Sequence, residues 1–182
     1  MKATLWSVAL AAALSAGTAV AASVDVGGAA MFPEKNIVQN AVNSKDHTTL
    51  VAAVKAAGLV STLEGKGPFT VFAPTNMAFD ALPEGTVQNL LKPENKQQLV
   101  KVLTYHVVPG RYTKHDLENL IRKHGGEARI KTVEGGMLTF MMNGPQNIQI
   151  QDSSGGVADV STYDVIQKNG VIDVVDRVLL PK

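Results

Sequence analysis

The 182-residue sequence contains no cysteine. An exported chain without cysteine has no disulfides and no lipid-modified cysteine, so its fold must depend on its apolar core. The sequence also lacks an excess of charge of either sign. Residues 1–22 contain a single charged side chain, Lys2, and the rest of the chain carries 16 basic and 16 acidic residues. A neutral chain has no general electrostatic reason to bind nucleic acid or an anionic membrane. The sequence therefore predicts no nucleic-acid partner.

Catalytic motifs are also absent from the sequence. It has no Gly-x-Ser-x-Gly elbow, no phosphate-binding glycine loop and no His-Glu-x-x-His pair. The isolated His47 and the pair His115 and His124, which lie nine residues apart on opposite sides of a predicted helix, give no zinc site. Asp173 and Asp176 point to opposite faces of a predicted strand, so they do not form a catalytic carboxylate pair. We expect a non-enzymatic protein without metal or cofactor.

The first 22 residues have the pattern of a secretory signal peptide. A lysine precedes an apolar run over residues 5–20, which ends in small alanines. The alternative, a transmembrane helix, is less favoured because the run is short and contains serine, glycine and threonine. No later stretch is apolar enough to span a bilayer, which predicts no stable membrane insertion. We expect a signal peptide over residues 1–22, a flexible lead over residues 23–34, and one domain over residues 35–182 that is secreted to the periplasm or the extracellular space.

The chain is organised around an aromatic segment over residues 67–79. Alternation over Phe69–Ala73 places Phe69 and Phe72 on opposite faces, which is typical of a strand that is covered on both sides. Pro74 ends this strand, and Thr75 is placed to cap a short helix that contains Phe79. The segment contains no nucleophile and no base, so we expect its aromatic side chains to pack in the core and not to take part in catalysis.

Apolar residues at helical spacing alternate with turn signals in the first two thirds of the chain. The spacing predicts helices over residues 36–43, 46–57, 97–106 and 113–124. Asp46 is the expected N-cap of the second helix, and Gly58 its C-terminal stop. Thr113 and Asp116 have the spacing of a capping box. His106 continues the apolar face of its helix, which leaves two interpretations: a catalytic base or ligand, or, as we favour, a buried histidine with satisfied ring nitrogens.

Short strand patterns dominate the last third of the chain. Alternation and turns predict strands over residues 128–133, 137–142, 147–151, 157–166 and 171–180. Lys168-Asn169-Gly170 is a hairpin signal between the last two strands. Four or five antiparallel strands that pack on helices and are joined by the Phe69–Ala73 strand make an α+β domain.

Three motifs together resemble the fasciclin domain family. They are Phe-Thr-Val-Phe-Ala-Pro-Thr-Asn-x-Ala-Phe from Phe69 to Phe79, Leu-Thr-Tyr-His-Val-Val from Leu103 to Val108, and the closing segment from Asn169 to Pro181. They occur in the family's order and span most of the chain. The resemblance implies a wedge of β-sandwich-like antiparallel strands flanked by several short helices. The structural motif residues that it picks out are Phe69, Phe72, Pro74, Thr75, Asn76, Phe79, Asn169 and Gly170.

The resemblance also implies a function and the residues that carry it. Fasciclin domains are extracellular modules for adhesion, so we expect a module at the cell surface, in the extracellular matrix or in a biofilm, including host contact. Its expected partner is a cell-surface or matrix protein or a glycan, with weak self-association as a further expectation. The binding residues that the family's contact segments suggest are Tyr163, Asp164 and Ile166 in one segment, with Val165 between them, and Tyr105 and His106, followed by Val107 and Val108, in the other.

Two further expectations follow from the same resemblance. The first two motifs sit side by side in the family, which predicts the Asn76 amide as the partner of His106. Family members usually carry histidine where this chain has Asp173, so no role of that histidine is transferred.

The alternative function is an extracytoplasmic carrier of an apolar ligand such as a carotenoid, with Met137, Met141 and Met142 lining a soft pocket.

Overall fold

The computed structural model describes residues 23–182, so the predicted signal peptide lies outside the described residues. Two 3₁₀ turns, Lys45–His47 and Pro93–Asn95, accompany the helices and strands. In chain order, the elements are β1 Val24–Val26, β2 Ala29–Met31, α1 Ile37–Ala41, α2 Thr48–Ala57, α3 Val60–Leu63, β3 Phe69–Pro74, α4 Asn76–Asp80, α5 Thr86–Leu90, α6 Lys96–Tyr105, β4 Val107–Pro109, α7 Lys114–Lys123, β5 Glu127–Lys131, β6 Met137–Asn143, β7 Asn147–Gln151, β8 Val157–Gln167 and β9 Gly170–Val175.

Residues 23–34 differ from the flexible lead that the sequence predicts. β1 and β2 pair as an antiparallel hairpin, and Val26 and Met31 are buried in the core. The turn between them is Gly27-Gly28, with φ of 61° and 71°, which is the glycine pair that a two-residue hairpin favours. The physical reason for the difference is this turn, which lets a short and otherwise featureless segment fold back and bury two apolar side chains.

Seven strands form one sheet in the order β4-β3-β9-β8-β7-β6-β5. All neighbours are antiparallel except β3 and β9, which run parallel. The helices lie against this sheet, which confirms the α+β class. The short strand β4 is missing from the sequence prediction, because three residues directly after a helix carry too little alternation to be recognised.

The central strand β3 separates two apolar clusters. Val71 and Ala73 belong to the cluster that β3 shares with α2 and α6, whereas Phe72 belongs to the cluster beneath α7 and strands β5–β8. The ring centroids of Phe72 and Phe140 are 5.3 Å apart in the second cluster. The prediction that this strand is covered on both faces is therefore confirmed.

Local capping signals explain several helix ends. Thr75 accepts a hydrogen bond from the Ala78 amide, and Thr113 and Asp116 form the predicted capping box. Gly58 ends α2 with a φ of 73°. The prediction for Asp46 is wrong: α2 begins at Thr48, after a 3₁₀ turn in which Asp46 makes no capping hydrogen bond.

Among the described residues, no helix has both the length and the apolar character that a membrane crossing requires.

The turn between β8 and β9 reverses the chain and also contacts other segments through Asn169 and Gly170. Gln167 lies opposite Gly170, as the hairpin signal predicts. The buried Asn169 side chain accepts a hydrogen bond from the Ile37 amide and donates to the carbonyls of Leu63 and Gly65. A Cβ at Gly170 would overlap the Phe69 carbonyl oxygen. Gly170 therefore allows the close parallel approach of β3 and β9, and Asn169 connects the turn to α1 and to the segment before β3.

Candidate functional site

The segment that the sequence singles out for binding forms a bulge in β8. The pairing of β8 with β9 changes register between Val160 and Thr162 and again between Thr162 and Val165. Asp164 has a φ of 57°, which makes it the one non-glycine residue with positive φ in the described part of the chain. Such a conformation is strained for an ordinary side chain and persists only where the surroundings hold it.

Two hydrogen bonds hold Asp164 in this conformation. Its amide donates to Oδ1 of Asp173 on β9, at 2.8 Å, and its own Oδ1 accepts from the Lys114 amide, at 2.7 Å. The carboxylate of Asp164 therefore binds the first amide of α7, where a negative charge also interacts favourably with the helix dipole. Because Asp164 is half-buried, part of this residue still faces solvent.

Tyr163 and Ile166 are the other half-buried members of this segment. The Tyr163 hydroxyl accepts a hydrogen bond from the Ile148 amide, at 2.8 Å, and burial raises the pKa of this hydroxyl. The ammonium of Lys114 lies 4.7 Å from the centroid of the Tyr163 ring, a cation–π distance. Val165 between them is buried. The surface of the bulge consequently combines an aromatic ring, a carboxylate, an aliphatic side chain and a lysine.

Asp173 is the buried group behind the bulge. Its side chain is 0% exposed, its Oδ2 has no hydrogen-bond partner among the described residues, and desolvation raises its pKa to about 7. The sequence patterns did not bring Asp173 together with Asp164. The hairpin register contained the signal, because counting three pairs back from Gln167 and Gly170 places Asp164 opposite Asp173.

Tyr105 and His106 lie in the interior, with 0% and 2% exposure. The Tyr105 hydroxyl donates to the Met137 carbonyl at 2.7 Å and accepts from the Ser153 amide at 2.9 Å. These bonds connect α6 to β6 and to the loop after β7. Neither side chain offers a partner a contact surface in this structure, unlike the three half-buried residues of the bulge.

The buried interpretation of His106 is the one that the geometry supports. Its Nε2 accepts from the Leu179 amide at 2.9 Å, so Nδ1 carries the proton and donates to the Val102 carbonyl at 2.8 Å. Desolvation lowers its pKa to about 4, which keeps the ring neutral at neutral pH. With both nitrogens engaged and the ring enclosed, His106 is placed as a structural connection between α6 and the closing segment.

The predicted contact between His106 and Asn76 is wrong. The Asn76 side chain accepts hydrogen bonds from the Thr49 amide and the Thr48 hydroxyl, and it donates to the Lys45 carbonyl. It therefore caps the start of α2, the role that the spacing predicts for Asp46. The two motifs do meet, through the backbone: the Phe72 amide donates to the His106 carbonyl at 2.9 Å.

We expect His106→Ala to lower the free energy of unfolding by about 2–4 kcal/mol, because it leaves the buried Leu179 amide and Val102 carbonyl unpaired and opens a cavity. Urea unfolding measures the change. The exposed His115 on α7 supplies the control, since His115→Ala should stay within about 0.5 kcal/mol of the parent protein. Equal stability of the His106→Ala variant and the parent would contradict the structural role.

An apolar cavity of about 60 Å³ lies between the helices and the sheet. Its walls include Leu50, Val54, Leu63, Leu103 and Val107. Met137, Met141 and Met142, which the sequence suggested as pocket residues, are not among the residues that line it. Within residues 23–182, no group of three or more histidine or acidic side chains is arranged to hold a metal.

Comparisons with known proteins agree with this fold. The family model of the fasciclin domain matches residues 45–181. Protein sll1483 of Synechocystis is 47% identical over 161 residues, which cover 87% of this chain and 81% of that protein. The immunogenic protein MPB70 of Mycobacterium bovis is 34% identical over 146 residues, 78% of this chain and 66% of that protein.

A solved structure shows the same architecture. It is a FAS1 domain pair from the insect cell adhesion molecule fasciclin I, with a TM-score of 0.73 at 18% identity. The match covers 81% of this chain and 51% of that chain, so the chain described here spans about half of the solved pair. Given the family match over three quarters of its length, with the relatives and the shared architecture, this chain belongs to the fasciclin domain family.

Proposed function

We propose that the protein is a secreted, non-enzymatic binding module that acts at the cell surface, in the extracellular matrix or in a biofilm. The observation that carries this proposal is the bulge at Asp164, a strained and half-buried segment on an otherwise regular strand. Strained residues that the fold holds in place are characteristic of functional sites. The partner that fits the mixed aromatic, acidic and aliphatic surface is a cell-surface or matrix protein or a glycan.

Three further observations support this proposal. The leader-like pattern of residues 1–22 agrees with export to the periplasm or beyond. The solved relative is a cell adhesion molecule. The most strongly shifted titratable groups, Asp173 and His106, are buried, with 0% and 2% exposure. That arrangement favours a binding role over catalysis.

The role of the bulge is tested with Asp164→Asn. Asparagine tolerates positive φ and retains the oxygen that binds the Lys114 amide, so the variant should fold normally while it loses the charge. We expect capture of partners from the native extracellular fraction to fall about tenfold, which corresponds to roughly 1.4 kcal/mol of binding free energy.

The half-buried Asp159 on the same strand gives the matched control. Asp159→Asn should capture the same partners as the parent protein in the same amounts. Undiminished capture by Asp164→Asn would show that the bulge is not the contact surface, and the absence of any specific capture by the parent protein would contradict the binding function itself.

The second candidate function is transport of an apolar ligand such as a carotenoid, and the cavity favours it. Its lining is mostly aliphatic and aromatic, and His106 at its wall has both ring nitrogens engaged. A volume of about 60 Å³ is well below the roughly 300–1,000 Å³ of ordinary ligand pockets. A carotenoid would therefore require the helices to move apart. The absorbance spectrum of protein purified from its native source distinguishes the two functions, since a carrier brings its pigment with it.

A further inference from the structure

Asp173, the bulge and α7 form one connected unit. The carboxyl of Asp173 accepts the Asp164 amide, and the carboxylate of Asp164 in turn accepts the first amide of α7, from Lys114. A change at Asp173 is therefore transmitted through a single strained residue to the end of a helix. The connection involves the same segment, Tyr163 to Ile166, that forms the proposed binding surface.

Apart from the Asp164 amide, whose hydrogen bond favours the ionised carboxylate, the surroundings of Asp173 favour its neutral form. β3 places the apolar Phe72 opposite it, and β8 contributes Tyr163 and the carboxylate of Asp164. None of the ion pairs within residues 23–182 involves Asp173.

The charged groups of α7 lie at or near the surface. Lys114 stands over the Tyr163 ring and 3.9 Å from Glu118, while His115 and Asp116 are exposed. A negative charge on Asp173 would consequently be buried beside another carboxylate without a compensating cation.

We propose that the protonation state of Asp173 controls the conformation of the bulge and so makes the binding surface sensitive to pH. The effect on partner binding rests on the proposed function; the conformational effect does not. In the protonated state, the neutral carboxyl accepts the Asp164 amide and the bulge stays attached to α7. When Asp173 releases its proton to solvent, the buried carboxylate repels Asp164 and its bare Oδ2 requires water.

Release of the bulge relieves the repulsion between the carboxylates of Asp173 and Asp164, and it relieves the lack of a hydrogen-bond partner for Oδ2 of Asp173. If the Asp164 carboxylate leaves the Lys114 amide while its own amide stays bound to Asp173, the two carboxylates can separate and water can reach Oδ2. The same movement allows Asp164 to leave its strained φ of 57°. The transition lies near neutral pH, because desolvation raises the pKa of Asp173 to about 7. The binding surface is thus rigid in mild acid and loosened in mild base.

Hydrogen exchange of the Lys114 amide, which donates to the Asp164 carboxylate while the bulge is attached to α7, tests the conformational step. The comparison is between the parent protein and Asp173→Asn, which keeps the acceptor oxygen and cannot ionise. At pH 8 we expect the Lys114 amide to exchange at least tenfold faster in the parent protein, and at pH 6 we expect rates within about twofold. Since every other titratable group is common to both proteins, differences arise from position 173 alone.

Equal exchange rates in the two proteins at both pH values would overturn the inference. The parent protein gives a second measurement that does not depend on the variant: the chemical shift of the Asp164 amide should follow the titration of the Asp173 carboxyl carbon. An Asp164 shift that stays constant while that carbon titrates would also overturn it. The control Asp159→Asn should behave as the parent protein does.

Partner capture tests the functional consequence separately. The parent protein should capture about tenfold less partner from the extracellular fraction at pH 8 than at pH 6, and Asp173→Asn should capture equal amounts at both. If the exchange difference is present but neither protein captures a partner, the proposed function fails and the conformational coupling stands. If capture is specific but equally strong at both pH values in the parent protein, the coupling to binding fails.

Discussion

Phe72→Ala is expected to lower the free energy of unfolding by about 3–5 kcal/mol, the range for removing a fully buried phenylalanine side chain. A typical domain of this size is stable by roughly 5–15 kcal/mol, so the variant would lose a large share of its stability. The measurement is urea unfolding, with the change taken from the shift of the midpoint at constant slope.

The position of Phe72 explains why this effect should lie at the upper end of the range. Its side chain is 1% exposed and packs against Phe140 in the cluster beneath α7. Its backbone belongs to β3, which pairs with β4 on one side and β9 on the other. Because the surrounding strands are fixed by these pairings, they cannot collapse into the space that the ring leaves.

Met77 provides the control from the same motif. It follows Thr75 and Asn76 on α4 and is 79% exposed, so Met77→Ala should change stability by less than about 0.5 kcal/mol. A loss below roughly 1 kcal/mol for Phe72→Ala would contradict the packing described here, since it would mean that the aromatic segment does not organise the core.

The parts of the fold that the sequence predicts correctly are those specified by short-range chemistry. Thr75, Gly58 and the pair Thr113 and Asp116 act within four residues, and each caps or ends the helix that its spacing predicts. β7, where isoleucine and polar residues alternate, lies at the predicted residues 147–151. Such local signals are reliable because the backbone groups at helix ends and in strands need hydrogen-bond partners in any fold.

The parts that the sequence does not reveal depend on contacts between distant segments. The parallel pairing of β3 with β9 joins residues about a hundred positions apart, and nothing in either strand specifies it. The ring of His106 is held by Val102 and Leu179, whereas Asn76, the expected partner, caps α2. Polar groups in a core bind whichever backbone group the packing leaves unpaired, so their partners follow from the tertiary fold.

The candidate site could be predicted from the sequence only in part. Resemblance to the fasciclin family indicated Tyr163, Asp164 and Ile166, and the structure places all three at half-buried positions in one bulge. The irregular register of β8 and the positive φ of Asp164 have no sequence signal of their own. They result from the interaction of Asp164 with β9 and α7 together, which neither segment reveals alone.

Asp173→Asn is expected to stabilise the protein at pH 8 by roughly 2–4 kcal/mol, which is the cost of ionising a group whose pKa has risen by about three units, reduced for relaxation. Desolvation raises the pKa of Asp173 from 3.8 to about 7 in the folded protein. The variant retains the acceptor for the Asp164 amide, so it removes the buried charge and little else.

The sign of the pH dependence follows from proton uptake. Between about pH 4 and pH 7, the folded protein holds a proton on Asp173 that the unfolded chain has released. The contribution of this group to stability is therefore fully present below pH 4, is lost as the pH rises through about 7, and stays constant above that value. Asp173→Asn should lack this loss, so the two proteins should have similar stability at pH 4, diverge as the pH rises to about 7, and differ by a constant amount above that value.

Urea unfolding at several pH values measures this divergence, and the difference between the two proteins isolates Asp173 from the other titrating groups. His47 and His106 have lowered pKa values, which makes both proteins less stable in acid to the same extent and cancels in the difference. Asp176→Asn, at an exposed position on the same segment, should follow the parent protein at every pH. Parallel pH profiles for the parent protein and Asp173→Asn would mean that Asp173 is ionised in the folded state, and that water or a cation reaches the oxygen that this structure encloses.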